Sequence, residues 1–255
     1  MFFDSHAHID GEKFDRDRDL VLSRAKENGI DYIMNPGADF ESSVRAVNLA
    51  QEYEMVYAAV GIHPHDAASL DDSLLMMIEA LTKKPKVQAI GEIGLDFHYD
   101  FSPRDTQRHW FVEQLRLARR LKLPVIVHDR EANQETFDTL RKEQVFETGV
   151  LMHCYSGSAE LAKQYVKLGG YISIAGPVTF KNSRKLIEVV EAVPLERLMI
   201  ETDSPYLTPE PFRGKRNESL YVKYICEKIA QIKGIDITEA AEATTKNAKE
   251  YFKIK

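Results

Sequence analysis

The sequence has few cysteines, no long apolar run and no excess of positive charge. Cys154 and Cys226 are the only cysteines in 255 residues, which argues against a disulfide framework. No stretch approaches the ~18 consecutive apolar residues of a transmembrane helix, so we expect no membrane association. No basic segment followed by an apolar one begins the chain, and this predicts a cytoplasmic protein. The net charge of −6 excludes a general nucleic-acid coat protein, but not an enzyme that handles phosphates locally.

Internal repeats, low-complexity tracts and Pro/Ser-rich linkers are also absent. An apolar fraction of 44% and a charged fraction of 29% are typical of a globular protein. We therefore expect a single domain spanning residues 1–255, and no feature predicts an obligatory protein partner.

What the chain does contain is a repeated pattern of a short apolar run, a loop and a longer amphipathic stretch. Apolar strands that alternate with helices predict a parallel sheet covered by helices. Eight such units in about 250 residues predict an α/β fold of the (β/α)8 TIM-barrel type. A doubly wound open sheet is the alternative, but its usual Gly-rich first turn is missing. The predicted strands are Met1–Ser5, Tyr32–Asn35, Val56–Ile62, Val87–Ile93, Leu123–His128, Gly149–His153, Tyr171–Ile174 and Leu198–Thr202.

Polar residues that can bind metals follow or end these strands, where barrel enzymes place their active sites. His6 and His8 are two apart, so they share one face of the first strand. Six of the eight histidines lie at strand ends. Burying so many polar groups without partners would cost free energy, and bound divalent ions would offset that cost. The ligand candidates exceed the three of a single catalytic zinc, which predicts two ions (Mg, Mn or Zn) with Glu92 as the bridge. The six candidates are His6, His8, Glu92, His128, His153 and Asp203.

Several short motifs appear in order along most of the chain. They are residues 4–8 (DSHAH), 61–64 (GIHP), 91–96 (GEIGLD), 124–128 (PVIVH), 153–157 (HCYSG), 201–207 (ETDSPYL) and 213–218 (RGKRNE). Together these motifs resemble those of the TatD-like metal-dependent nucleases, within the amidohydrolase-like barrels. The resemblance implies metal-dependent hydrolysis of DNA phosphodiesters from the 3′ end. It implies a first metal on His6, His8, Glu92 and Asp203, and a second on Glu92, His128 and His153.

The remaining candidates are assigned to catalysis and to substrate. We expect water activated by two metals to attack phosphorus and Asp203 to move its proton. Glu201, two residues earlier on the same strand face, is expected to assist around the metal ligands, with a buried structural carboxylate as the alternative. The cations that follow the eighth strand predict phosphate contacts, and loop aromatics at strand ends predict stacking on nucleobases, with buried packing as the alternative. The predicted substrate contacts are His63, His65, Arg130, Tyr155, Arg213, Lys215 and Arg216, with Phe97 and Tyr99 as further stacking candidates.

These features favour a 3′–5′ exodeoxyribonuclease that prefers single-stranded ends and has DNA as its partner. One alternative is a metal-dependent amidohydrolase acting on a small cyclic amide. Many amidohydrolases bridge their metals with a modified lysine at the end of strand four, where this chain has Glu92. Another alternative is a binding protein with a purely structural metal. A barrel fold alone does not separate amide from phosphoester cleavage.

Overall fold

The strand–helix alternation is confirmed in the computed structural model, which describes all of residues 1–255. Eight strands form one parallel sheet whose order follows the chain from the first strand to the eighth, as in the (β/α)8 fold class. The strands are β1 (Phe2–Asp4), β2 (Ile30–Pro36), β3 (Val56–Val60), β4 (Val87–Asp96), β5 (Val125–Arg130), β6 (Val150–Met152), β7 (Tyr171–Ile174) and β8 (Leu198–Ile200).

Helices separate the strands, and two more follow β8. Two helix caps have the expected chemistry. At the start of the second helix, the Asp39 side chain accepts from the Ser42 N–H, and after the end of the first helix Gly29 has φ of +81°. None of the helices is long and apolar enough to cross a membrane. The helices are α1 (Arg18–Glu27), α2 (Phe40–Glu52), α3 (Asp72–Leu81), α4 (Arg104–Leu121), α5 (Asn133–Lys142), α6 (Ala159–Lys167), α7 (Arg184–Ala192), α8 (Val222–Lys233) and α9 (Ile237–Tyr251).

Strand lengths differ from the predicted ones where the candidate site begins. β4 continues to Asp96, three residues beyond its predicted end, whereas β6 stops one residue and β8 two residues before theirs. His153 therefore directly follows β6, and Asp203 lies three residues past β8. Periodicity overestimates β6 and β8 because their polar ends leave the hydrogen-bonded ladder while still following an apolar run.

The chain divides into two compact units. The first unit, residues 1–35, 154–167 and 171–255, contains β7, β8, β1 and most of β2; the second unit, residues 36–153 and 168–170, contains β3 to β6. In the first unit, the segment after β1 runs beside the segment after β8, since Ser5 N–H donates to Ile200 and His8 N–H donates to Ser204. Both units are built on apolar strands that are buried, as parallel strands usually are. A single domain over residues 1–255 stays a prediction.

Candidate metal centre

The first cluster consists of His6, His8 and Asp203 and lies in the first unit. Nε2 of His6 is 3.2 Å from Nε2 of His8, and the two atoms are 3.9 Å and 3.7 Å from Oδ1 of Asp203. These three atoms thus surround one point, as the donor atoms of a metal ligand set do.

Backbone contacts between the ends of β1 and β8 bring the first cluster together. The Asp203 N–H donates to the carbonyl of His6, and Asp203 has a left-handed backbone with φ of +53°. Few residues other than glycine adopt this conformation, so the surrounding contacts must hold it. One of these contacts is the buried Asp4, which accepts from the N–H and the hydroxyl of Thr202.

The second cluster consists of Glu92, His128 and His153 and lies in the second unit. Oε1 of Glu92 is 2.9 Å from Nδ1 of His128 and 3.0 Å from Nε2 of His153. Glu92 and His153 are buried, and His128 is largely so. Two imidazole nitrogens thus meet one carboxylate oxygen away from bulk water.

Close approach of β4 and β5 aligns this cluster, and Gly94 makes that approach possible. Gly94 is paired with His128 in the parallel ladder, and a Cβ on Gly94 would lie 1.9 Å from the carbonyl oxygen of His128. Gly94 also has φ of +155°, which side-chain-bearing residues rarely adopt. Only glycine therefore lets His128 lie between Glu92 and Asp96, which point to the same side of β4.

Asp96 is a hydrogen-bond partner of His128 in the second cluster. Its Oδ2 is 2.9 Å from Nε2 of His65 and 3.0 Å from Nε2 of His128, and its Oδ1 accepts from two backbone N–H groups. Burial alone would raise the pKa of Asp96, but the hydrogen bonds from His128, Tyr99 and His65 outweigh it and hold the pKa below its usual range. The ionised carboxylate can only accept, so both imidazoles donate through Nε2. Nδ1 of His128 is then the atom that is left to bind a metal.

The second cluster suits a cation. A lone pair on Nδ1 of His128 facing Oε1 of Glu92 at 2.9 Å is repulsive unless a proton or a metal ion lies between them. Burial would lower the pKa of His128, yet the hydrogen bonds to Asp96 and Glu92 raise it, because these acceptors stabilise the protonated imidazole. Imidazole nitrogen with carboxylate oxygen is also a donor set that zinc and manganese accept.

His63 joins the second cluster in space, although sequence reasoning placed it only among the substrate contacts. Its Nε2 is 3.6 Å from Oε1 of Glu92, so it could belong to a ligand group with Glu92 and His128. However, its Nδ1 accepts from the backbone N–H of His65 at 3.1 Å. Burial holds the pKa of His63 well below its ordinary value, and a neutral ring with Nδ1 as acceptor carries its proton on Nε2. This tautomer makes Nε2 of His63 a hydrogen-bond donor.

Glu201 and His65 each contact a partner that the sequence does not reveal, and the roles predicted for them stay predictions. Oε1 of the buried Glu201 accepts from the N–H of Cys154 at 2.7 Å, so it fixes the backbone directly after His153. His65 directs Nε2 to Asp96, and its ring packs against Phe101 at 4.7 Å between ring centres. Its predicted contact with substrate stays a prediction.

The three cations after β8 differ in what they contact. Arg216 forms a bidentate pair with Asp17 at 2.8 and 2.6 Å and also reaches Glu218 at 2.9 Å. The guanidinium of Arg213 lies over the ring of Phe180 and the ammonium of Lys215 over that of Phe212; neither makes an ion pair. The structure thus corrects the grouping of Arg216 with the other two: its guanidinium is occupied by carboxylates, and a phosphate would have to displace them.

The aromatic residues of the loops also differ in how far their rings are exposed. Tyr155 is only 4% exposed and donates its hydroxyl to the carbonyl of Ser158, which corrects its assignment to substrate because no face is open for stacking. Phe97 is covered by the guanidinium groups of Arg104 and Arg108. Tyr99 is 46% exposed, and its stacking on a nucleobase stays a prediction.

Known proteins resemble the chain over nearly its whole length. The family model of TatD related DNase matches residues 3–253. The uncharacterized metal-dependent hydrolase YabD of Bacillus subtilis is 46% identical over 254 residues and is covered completely, as is this chain. The 3′-5′ ssDNA/RNA exonuclease TatD of Cronobacter turicensis is 36% identical, with 98% of this chain and 97% of that protein covered.

A solved structure agrees with these relatives. The crystal structure of YJJV, a TatD homolog from Escherichia coli, superposes with a TM-score of 0.94 at 31% identity and covers 100% of this chain and 98% of the other. One conclusion follows from the two clusters of side chains that can bind a metal, from the (β/α)8 strand order and from the family match over residues 3–253. The chain belongs to the TatD-related DNase family and is a metal-dependent hydrolase of that family.

Proposed function

We propose that the protein is a metal-dependent 3′–5′ exonuclease that removes nucleotides from single-stranded DNA ends. The observation that carries this proposal is the convergence of two imidazole nitrogens on one buried carboxylate oxygen, Oε1 of Glu92, beside a third imidazole that can donate. The Cronobacter relative, named a 3′-5′ ssDNA/RNA exonuclease, supports the polarity and the single-stranded substrate.

Two divalent ions are part of this proposal, one held by the first cluster and one by the second. When bound, such ions lower the pKa of water and offset negative charge on phosphate oxygens. The residues fit them, because the donor atoms of the first cluster face a common point and, in the second cluster, two imidazole nitrogens approach one carboxylate oxygen. The bridging role of Glu92 stays a prediction, which metal counting tests.

The protein's own side chains would then direct the displacement. The carboxylate of Asp203 takes the proton of the attacking water and passes it to the leaving oxygen. Nε2–H of His63 donates to a non-bridging phosphate oxygen, and the low pKa of His63 keeps that ring neutral, so it can do so without becoming charged. Glu201 holds the backbone next to His153 and so keeps a ligand in place.

Cations without carboxylate partners supply the phosphate contacts. Arg130 is exposed and makes no ion pair, and Arg213 and Lys215 likewise have none. Charged groups of this kind neutralise the backbone of a strand bound to a protein that is acidic overall. Arg216 is left out of this set because Asp17 and Glu218 hold it.

Digestion of end-labelled oligonucleotides tests the proposal. A single strand labelled at its 3′ end should lose the label at once as a mononucleotide, whereas a 5′ label should shift through a ladder of shorter products. Magnesium, manganese and zinc are tried in turn with a chelator as the blank, and a blunt duplex and an RNA strand are run alongside.

The two labels also separate the alternatives. Faster loss of the 5′ label would reverse the polarity, and faster cleavage of RNA would change the substrate class. No cleavage of any strand with any metal, together with turnover of a cyclic amide such as dihydroorotate, would replace the proposal with the amidohydrolase function.

A further inference from the structure

The loop that follows β4 carries an exposed pair of aromatic rings. Phe101 is 67% exposed, the highest fraction among the large apolar side chains, and Tyr99 is 46% exposed. Their rings are stacked, with centres 5.2 Å apart and planes inclined by 17°. Sequence reasoning missed Phe101, since it follows the strand end by five residues. Clustered apolar surface that stays open to water marks a binding face more often than a scattered single residue does.

This pair is held rigidly. The hydroxyl of Ser102 donates to the carbonyl of His65 and accepts from the N–H of Ala68, and the amide of Gln107 donates to the carbonyl of Ser102. The N–H of Tyr99 donates to the carboxylate of Asp96. The rings therefore stand ready before a ligand arrives, which reduces the conformational entropy that binding would cost.

A cationic side chain, Arg130, lies over the ring of Tyr99. The guanidinium of Arg130 lies 4.6 Å from the centre of the Tyr99 ring and makes no ion pair. An exposed aromatic face beside an unpaired guanidinium matches the two parts of a nucleotide, because bases stack on aromatic rings and Arg binds phosphate.

The rings are continuous with the second cluster through a row of histidines. The ring of His65 is 4.7 Å from that of Phe101 and 4.3 Å from that of His63, which in turn is 4.3 Å from that of His128. A strand with its phosphate at His128 would therefore have a neighbouring nucleotide within reach of Phe101.

We propose that Tyr99, Phe101 and Arg130 form an aromatic platform that binds one nucleobase of the single strand next to the scissile phosphate. This inference rests on the proposed exonuclease function and names a specific contact of the same site. The base stacks on the open face of Phe101, and Arg130 contacts a phosphate of the same strand.

Binding of strands with and without bases tests the platform. The metal-loaded enzyme is titrated into a fluorescent, hydrolysis-resistant phosphorothioate oligothymidylate and into the same strand with abasic residues, and anisotropy gives each Kd. Phe101→Ala should weaken binding of the base-bearing strand by roughly 5- to 150-fold and leave the abasic strand unchanged. Phe101→Trp should restore binding, because it keeps a ring.

Met76→Ala is the matched control, since Met76 on α3 is 64% exposed, an exposed fraction close to that of Phe101. It should change neither Kd. Equal weakening of both strands by Phe101→Ala would mean that the residue supports the fold or another partner, and it would overturn the platform. Unchanged binding of both strands would overturn it as well.

Hydrolysis assays on the same proteins separate this proposal from the one it rests on. Base-dependent binding that is lost in Phe101→Ala, without hydrolysis of DNA by the wild type, would keep the platform and reject the exonuclease. Hydrolysis that proceeds with the same Michaelis constant in wild type and Phe101→Ala would keep the exonuclease and reject the platform.

Discussion

The first and second clusters offer similar donor atoms, but different parts of the protein aim them. In the first cluster, backbone contacts between the ends of β1 and β8 place His6 and His8 beside Asp203, whose own backbone is left-handed. In the second cluster, a buried side chain, Asp96, holds His128 by Nε2 and leaves Nδ1 for a metal. The difference teaches that backbone contacts set the first site, whereas the second adds a side-chain network to its strand pairing, so substitutions should affect them differently.

The largest effect is expected from Glu92, on which the second cluster converges. Glu92→Gln keeps the size of the side chain but removes the charge that His128 and His153 share. We expect hydrolysis to fall by roughly 10³-fold or more. Metal analysis after equilibrium dialysis should show a loss of bound ions, while thermal unfolding shows a folded protein.

His8→Ala is the counterpart from the first cluster. It should remove one metal equivalent and leave the other in place, if each cluster holds its own ion. Loss of both ions in Glu92→Gln would indicate that Glu92 serves both, as predicted from the sequence. An active Glu92→Gln protein, or full activity with one ion per chain, would contradict the two-ion proposal.

A smaller effect is expected from Asp96, which acts on the second cluster through His128. Asp96→Asn keeps the shape but removes the charge and one acceptor oxygen, so the two imidazoles and the two backbone N–H groups that Asp96 now serves must compete for one oxygen. Metal affinity, measured by calorimetry, should fall by roughly 10- to 100-fold for one of two ions. Asp138→Asn on α5 is the control. Equal loss of affinity for both ions would show that the two clusters do not differ in the way described.

Substitution of the cations after β8 should have a weaker effect still. Arg213→Ala together with Lys215→Ala removes two charges that make no ion pair. We expect weaker binding of single strands and a salt dependence reduced by about 1.4 in slope, because each neutralised phosphate contributes about 0.7. Metal content should not change. The same slope in variant and wild type would mean that this loop is only solvated.

The smallest effect is expected from Arg216, and it should concern stability. Hydrogen bonds from Arg216 lower the pKa of Asp17, so the pair stabilises the folded state above the ordinary pKa of about 3.9 and loses that effect as the pH falls below it. Arg216→Ala should therefore reduce the free energy of unfolding at pH 7 by less than about 1 kcal/mol, because solvent screens this partly exposed pair, and the difference from wild type should shrink as the pH falls from about 3.9 through the lowered pKa of Asp17. Chemical denaturation at pH 7 and at a series of lower pH values measures this. A difference that does not shrink with falling pH would assign the effect to packing against Phe14.

The order of strands and helices follows from the sequence, because period-2 and period-3.6 apolar patterns depend on neighbours along the chain. The eight strands lie in the predicted order, and the candidate metal ligands were visible because they follow or end predicted strands. The motif that ends in Asp96 was visible too. Its even spacing from Glu92 on one strand could have suggested that both carboxylates share a face.

Only the tertiary structure decided how these residues are used. Arg216 is paired by Asp17, 199 positions away in the chain, and Tyr155 is buried while Phe101 is not. The proton positions on His63 and His128 depend on a backbone N–H and on Asp96, which reach them through turns and a strand pairing. Local sequence determines which side chains are present at a strand end, because secondary structure is a local property. Partners, exposure and tautomers are long-range properties, and they exist only once the strands have packed.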